Sequence, residues 1–140
     1  MPEESDPPKL KVLLDSNVII SGLTHGGNPR AILDLLWLGE IECFISPFIL
    51  AEVGNSLSED FGWSDSAAGQ ALSILQTHCV VIDPPQDASL SQLSPADNRI
   101  LDCAVQGQVQ YLVTGDRALQ GVGDYHGIQI ISPIAFLQIL

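Results

Sequence analysis

Lys11-Val12-Leu13-Leu14-Asp15-Ser16-Asn17-Val18-Ile19-Ile20-Ser21 is the stretch that decides the fold. Val12 to Leu14 is short, apolar and without polar alternation, the pattern of a parallel strand buried on both faces. An acid, an alcohol and an amide follow at once, and Val18 to Ile20 is apolar again. Asp15 thus sits between two apolar runs, a place for a carboxylate only at the mouth of a strand, where α/β sheets bind their ligands. Read alone, Asp15 is equally well a loop acid capping the next helix. What decides between the two is whether other acids reach the same edge.

Outward from this stretch, strands and helices alternate. Leu10 to Leu14 reads as the first strand, followed by a short helical turn through Ile20 and a loop, Thr24-His25-Gly26-Gly27. Asn28-Pro29 reads as an N-cap with proline at the first helical position, opening a helix with Ile32, Leu33, Leu36 and Trp37 at helical spacing and Gly39 at its end. Ile41 to Ile45 is a second strand. Ser46-Pro47 opens a helix whose Ile49, Val53 and Leu57 form one apolar stripe, with Glu52 beside that stripe rather than opposite it. Ser64 to His78 is a further helix and Cys79 to Ile82 a third strand. Ser94-Pro95 starts a helix buried through Ile100, Leu101, Ala104 and Val105 and ended by Gly107. Tyr111 to Thr114 is a fourth strand, with Asp116 one glycine beyond it. Ile128 to Ile131 is a fifth, and Ser132-Pro133 opens a terminal helix. The expected fold is α/β, a three-layer α/β/α arrangement around a five-stranded parallel, doubly wound sheet. Residues 9–140 are read as one domain behind a flexible tail over 1–8.

A chain of 140 residues is one domain's worth, enough to bury roughly 70% of its unfolded surface around a single core. Cys43, Cys79 and Cys103 are odd in number and far apart, which indicates neither a disulfide framework nor a zinc site and fits a reducing compartment. The N-terminus has no basic start, and no apolar run approaches the roughly 18 residues of a membrane span. The expectation is a cytoplasmic protein with no membrane partner. Seventeen acids against five basic residues give a net charge of −12, which argues against tracking along duplex nucleic acid through phosphate contacts. It does not exclude a nuclease, because bound divalent cations invert the field at an acidic site.

Asp15 and Asp116 both follow an apolar strand and therefore lie at the sheet's carboxyl edge. Asp97, three residues into the Ser94 helix, lies at the same edge if that helix leaves the sheet's upper side. On its own it is a favourable first-turn acid. Asp102, five residues further, is roughly 140° around the helix from it. Carboxylates within a few ångströms repel by roughly 4 kcal/mol per close pair at an effective dielectric near 20, and a fold keeps that arrangement for a cation. Oxygen ligands without histidine favour Mg²⁺ or Mn²⁺ over zinc, and a pair of such ions suits hydrolysis of a phosphodiester.

Leu14-Asp15-Ser16-Asn17-Val18, Glu52 within Leu50-Ala51-Glu52-Val53, Asp97-Asn98-Arg99-Ile100-Leu101-Asp102-Cys103-Ala104 and Thr114-Gly115-Asp116-Arg117 resemble, in order and spacing, the successive motifs of PIN-domain ribonucleases. The branch they resemble most is the toxin component of toxin–antitoxin pairs. The resemblance implies a five-stranded parallel sheet and a metal-dependent endoribonuclease using Mg²⁺ or Mn²⁺. It implies Asp15, Glu52, Asp97 and Asp116 as catalytic, metal-binding acids, with Asp102 as a further candidate ligand for a second metal. Ser16 and Asn17 match a polar pair that orients the first acid or a substrate phosphate. Arg99 and Arg117 are the basic candidates for substrate contact. RNA, an antitoxin protein and a second copy of the chain are the implied partners.

Rival chemistries fit less well. A phosphatase with an aspartyl nucleophile calls for a second aspartate two positions after Asp15, where Asn17 stands. A phospho-acceptor receiver calls for a late lysine, and none follows Lys11. His25-Gly26-Gly27 resembles part of an oxyanion-hole loop, but no G-x-S-x-G elbow accompanies it. The competing class is a catalytically idle PIN-like module that binds protein or RNA, a reading the shortage of basic residues favours and the four matched acids oppose.

Overall fold

Val12, Leu13 and Leu14 are all buried, at 0 to 1% exposure. Successive strand residues face opposite sides, so both faces of the sheet are covered at this point. In the computed structural model, which describes residues 8–140, β1 (Leu10–Leu14), β2 (Ile41–Ile45), β3 (Val80–Val81), β4 (Tyr111–Val113), β5 (Asp124–Tyr125) and β6 (Ile128–Ile131) form one sheet. Its order is β3-β2-β1-β4-β6-β5. All pairings are parallel except β5 with β6. The chain winds from β1 outward through β2 to β3, then returns to the other side of β1 with β4. The gap between the β1 and β4 ends is therefore a topological switch point, the place where such sheets leave a crevice.

The helices are α1 (Ser16–Thr24), α2 (Gly27–Trp37), α3 (Pro47–Glu59), α4 (Asp65–His78), α5 (Pro95–Gln106), α6 (Arg117–Val122) and α7 (Pro133–Ile139). Serine followed by proline opens three of them. Ser46, Ser94 and Ser132 each accept the N–H three residues on at 3.1 Å, with proline at the first position where no donor is needed. The α3 stripe is as read: Ile49, Val53 and Leu57 are each 0% exposed, and full burial of such a side chain is worth about 1.5–3 kcal/mol. α1 packs on α2 and α3, and α3 on α4, while α5 contacts β1 and β2.

The sheet has six strands rather than five. Ile128–Ile131 pairs with β4 as expected, and a two-residue strand, Asp124–Tyr125, folds back antiparallel on it. The turn between them, His126-Gly127, has φ of 53° and 82°, the left-handed pair that a two-residue hairpin needs. α1 also runs further than a single turn. α2 begins on Gly26, φ 97°, without a side-chain cap, so Asn28 lies inside the helix and does not cap it. β3 is a short exposed edge, and Val105 lies on the exposed side of α5. The tail expected over 1–8 falls, but for Pro8, outside the described residues. Among those, no helix is long and apolar enough to cross a membrane.

α1 and α2 cross most closely at Gly22, where an added Cβ would stand 2.6 Å from Leu33 Cδ1 and 3.0 Å from the Pro29 carbonyl. Leu33 is fully buried, and the Pro29 carbonyl is backbone that a side-chain rotation cannot move. Gly22→Ala should therefore lower the unfolding free energy by about 1–3 kcal/mol in urea denaturation, despite alanine's better helix propensity. A variant as stable as the parent would show that the crossing can open.

Candidate active site

β1 and β4 end side by side, and the ladder between them is extended by Asp15 N–H donating to the Val113 carbonyl at 2.9 Å. Asp15 then starts α1 as its N-cap. A capping side chain ordinarily accepts from the second or third helical N–H. The Asp15 carboxylate accepts instead from the first, Ser16 N–H, at 2.7 Å on Oδ1. Its Oδ2 takes the Thr114 hydroxyl at 2.7 Å and Asn17 Nδ2 at 3.0 Å. The carboxylate is thus aimed across the sheet toward β4 rather than along α1. Asp15 is only 4% exposed and Thr114 is fully buried. Burial pushes the Asp15 carboxyl above its usual range. The Thr114 and Ser16 hydrogen bonds oppose the shift, and the charge of Asp116 adds to it.

Thr114 is the pivot. Its hydroxyl donates to Asp15 and accepts from Asp116 N–H at 2.9 Å, so one buried oxygen spaces two acids. Asp116 in turn caps α6, its Oδ1 accepting from Ala118 and Leu119 N–H. Asn17 ties the same two strand ends from outside, donating to Asp15 and accepting from Gly115 N–H at 3.2 Å. These opposite roles fix its amide orientation, since the flipped amide would turn its carbonyl on the carboxylate.

Glu52 comes from the flank of α3. Its Oε1 accepts from Ser16 Oγ at 3.0 Å, and the same hydroxyl stands 3.4 Å from Asp15 Oδ1, too long to hold that oxygen firmly. Burial raises the Glu52 carboxyl, the Ser16 bond lowers it, and the charge of Asp15 raises it again. Asp97, in the first turn of α5, donates its N–H to Ser94 Oγ and sets its carboxyl against that of Asp116. Burial first, then the shared contact and charge of Asp116 and the charge of Asp15, push it up to about 6. The four sequence-predicted acids therefore lie along the switch-point edge in two linked pairs, Glu52 with Asp15 through Ser16 and Asp97 with Asp116.

Asp102 and Arg99 do not join them. Each is more than a third of a turn around α5 from Asp97 and faces the 83–93 connection instead. Asp102 is buried, and its Oδ1 accepts from Asp87 and Ala88 N–H at 3.1 and 2.7 Å. Arg99 Nη2 donates to the Ala88 carbonyl at 2.7 Å. It also stands 3.1 Å from Asp102 Oδ2, held by charge, because no N–H is aimed along that line. The structure thus sets Asp102 and Arg99 apart from the four acids, holding the backbone of residues 87 and 88, rather than beside them where a second-metal ligand would stand. Arg117 follows Asp116, is exposed, and forms no ion pair among the described residues.

The donors are all hard oxygens, which suits Mg²⁺ or Mn²⁺. Among the described residues no three acid, histidine or cysteine side chains form a ready cage. Glu52 is drawn onto Ser16, and Asp97 onto Asp116. Mg²⁺ does not require such a cage, since it keeps several waters and binds through one or two carboxylates. Asp15 Oδ1, firmly engaged only by Ser16 N–H, retains an acceptor position for one.

Residues 11–118 match the PIN domain. The protein MJ1680 of Methanocaldococcus jannaschii is 29% identical over 128 residues, covering 87% of this chain and 81% of its own. Two crystal structures share the fold. VapBC2 from Rickettsia felis, bound to a DNA fragment from its promoter, has a TM-score of 0.63 at 15% identity, over 88% of this chain and 98% of that one. VapC20 from Mycobacterium tuberculosis, a sarcin-ricin loop cleaving toxin, has a TM-score of 0.58 at 15% identity, over 84% of this chain and 98% of that one.

The raised carboxyls set a pH dependence. Folded Asp97 keeps its proton to about 6, against 3.8 ordinarily, so between these values the unfolded chain binds fewer protons and stability falls as pH rises. The contribution is complete below about pH 3.8 and lost once the pH passes about 6. Asp15 and Glu52, both raised, act in the same direction. In metal-free urea denaturation, the parent should therefore lose stability relative to Asp97→Asn as pH increases from 4 to 6.5. A constant difference would mean that folding does not raise the Asp97 carboxyl.

Proposed function

Because the chain belongs to the PIN-domain family, we propose that it is a divalent-metal-dependent endoribonuclease that hydrolyses RNA phosphodiester bonds, the toxin of a toxin–antitoxin pair. The observation that carries this reading is the meeting of Asp15, Glu52, Asp97 and Asp116 at the β1–β4 switch point, with Asp15 buried and oriented by Thr114. PIN-domain nucleases generally use divalent metal ions, and the donor set here suits Mg²⁺ or Mn²⁺. When bound, such an ion polarises the phosphate and lowers the pKa of a coordinated water.

The chain's own residues divide the remaining tasks. Asp15 and Asp116, spaced by the Thr114 hydroxyl, are the central ligands, and Glu52 and Asp97 flank them. Asp97, pushed up to about 6, would serve as a ligand only once deprotonated, so a cation bound there below that pH would displace a proton. Ser16 and Asn17 position Asp15 and lie beside it, where a scissile phosphate would come, and Arg117 is the free cation at the same edge. VapC20, which shares the fold, is a sarcin-ricin loop cleaving toxin, and this supports RNA as the substrate class. An antitoxin is the proposed protein partner and the cytoplasm the proposed compartment. A homodimer is proposed through Leu38 and the α7 residues Ile134 and Ile139, all exposed apolar side chains.

Purified, antitoxin-free protein should cut single-stranded RNA in Mn²⁺ or Mg²⁺, and Asp15→Asn should abolish cleavage. Thr114→Val, which keeps shape and removes the hydroxyl, should reduce metal affinity or activity by roughly 10- to 100-fold. Cation at about 100 times its dissociation constant should add roughly 2.7 kcal/mol to parent stability, and less to Asp15→Asn. No cleavage by folded protein at any metal concentration, or an Asp15→Asn enzyme as fast as the parent, would refute the reading.

A further inference from the structure

α5 uses its second face to build a wall. Asn98 Nδ2 donates to the Leu90 and Ser94 carbonyls, and its Oδ1 accepts from Leu90 N–H at 2.9 Å. Together with the Arg99 and Asp102 bonds to residues 87 and 88, these hold the backbone at Asp87, Ala88 and Leu90. Between this wall, the start of α5 and the first turn of α3 lies a cavity of about 470 Å³. That is within the range of pockets that enclose a small molecule. Phe48, Leu90, Leu93, Pro95 and Ala96 make its lining mainly apolar, and Asn98 and Arg99, both engaged with the 87–90 backbone, border it. Phe48 is 38% exposed.

The cavity adjoins the acids through two elements. Phe48 is one helical turn before Glu52 on α3, a spacing that puts side chains about 5–6 Å apart at their Cβ atoms. Pro95 and Ala96 immediately precede Asp97. Gln86 and Ser89 stand among the lining residues, exposed and without hydrogen-bond partners for their side chains among the described residues.

Charge determines what kind of occupant suits this place. Of five basic residues in the chain, Arg99 is paired with Asp102 and Arg30 with Asp34, and Lys11 lies over the Phe44 ring. In a chain of net charge −12, Arg117 is the arginine left without an ion pair among the described residues, so phosphate contacts are few, and the part of single-stranded nucleic acid that suits an apolar cavity is the base, which is uncharged and presents flat apolar faces. We propose that this cavity receives the base of a nucleotide next to the cleaved phosphodiester, stacked on Phe48, with Gln86 and Ser89 facing its polar edge. This rests on the nuclease reading and assigns that site its means of holding substrate.

The test measures binding apart from cleavage. In the Asp15→Asn background, where the strand stays intact, affinity for a short single-stranded RNA is compared with that for the same oligomer carrying one abasic position, scanned along its length. Phe48→Ala should weaken binding of the intact oligomer roughly 5- to 150-fold, the loss expected for one base–aromatic stack. It should have little effect where the abasic position occupies the pocket, and Phe48→Trp should retain binding. Thermal melting confirms that each variant is folded. Equal affinity of Phe48→Ala and parent, or equal losses on intact and every abasic oligomer, overturns the pocket. If the otherwise unsubstituted protein cuts RNA while Phe48→Ala binds like the parent, the pocket falls and the nuclease stands. If it binds with Phe48 dependence but never cuts, the nuclease falls and the base site stands. Failure to bind any oligomer, or light scattering showing that Phe48→Ala abolishes a dimer instead, also overturns the pocket.

Discussion

A carboxylate buried at a sheet's edge is the constraint on which the rest of this site depends. Removing an ionised carboxylate from water costs several kcal/mol unless donors replace the lost solvent. Asp15 is 4% exposed and is supplied from three directions: the backbone of α1, the Asn17 amide, and the Thr114 hydroxyl at the end of the neighbouring strand. The last of these requires β1 and β4 to be adjacent and in register, which the Leu14 to Val113 pairing provides. Sheet order and carboxylate orientation are therefore one requirement seen from two sides.

The same geometry explains how several acids coexist at one edge of the sheet. Asp15 caps α1, Asp116 caps α6 and Asp97 sits in the first turn of α5. Each is placed where helix N–H groups and the positive end of the helix dipole favour negative charge. The carboxyls of Asp15, Glu52 and Asp97 remain raised, by burial first and by neighbouring acid charge in addition. Capping and site formation are not alternatives for Asp15. Its backbone carbonyl and one carboxylate oxygen serve the start of α1, while the other carboxylate oxygen is turned to Thr114 and Asn17.

Much of this was legible in the sequence because it is local. Serine followed by proline marks helix starts through a side-chain bond three residues away, and unbroken apolar runs mark buried strands. The four acids stood out because each lies just past such a signal or beside an apolar stripe. What was not legible depends on distant partners. Thr114 reads as the last residue of a strand, and its role appears only when β4 lies beside β1, 99 residues apart in sequence. β5 was missed because His126-Gly127 is a weaker hairpin signal than Asn-Gly, and its two-residue arm carries no alternation. α6 is a six-residue helix and too short for a periodic pattern. Asp102 and Arg99 had the right residue types for a site, but their partners are backbone groups of a loop without regular structure.

That loop gives α5 two tasks on opposite faces. Asp97 points to the other acids, whereas Asn98, Arg99 and Asp102 hold residues 87–90. A helix turns as a unit, so fastening one face fixes the angle at which the other presents its carboxyl. Arg99 and Asp102 are costly groups to bury, and a buried pair contributes little net stability compared with apolar residues of the same size. What the pair provides is direction: a charge contact and hydrogen bonds that are satisfied at one rotation of α5 and not at its neighbours. The cation at position 99 is thus engaged with the Ala88 carbonyl and Asp102, on the side of α5 turned away from Asp97.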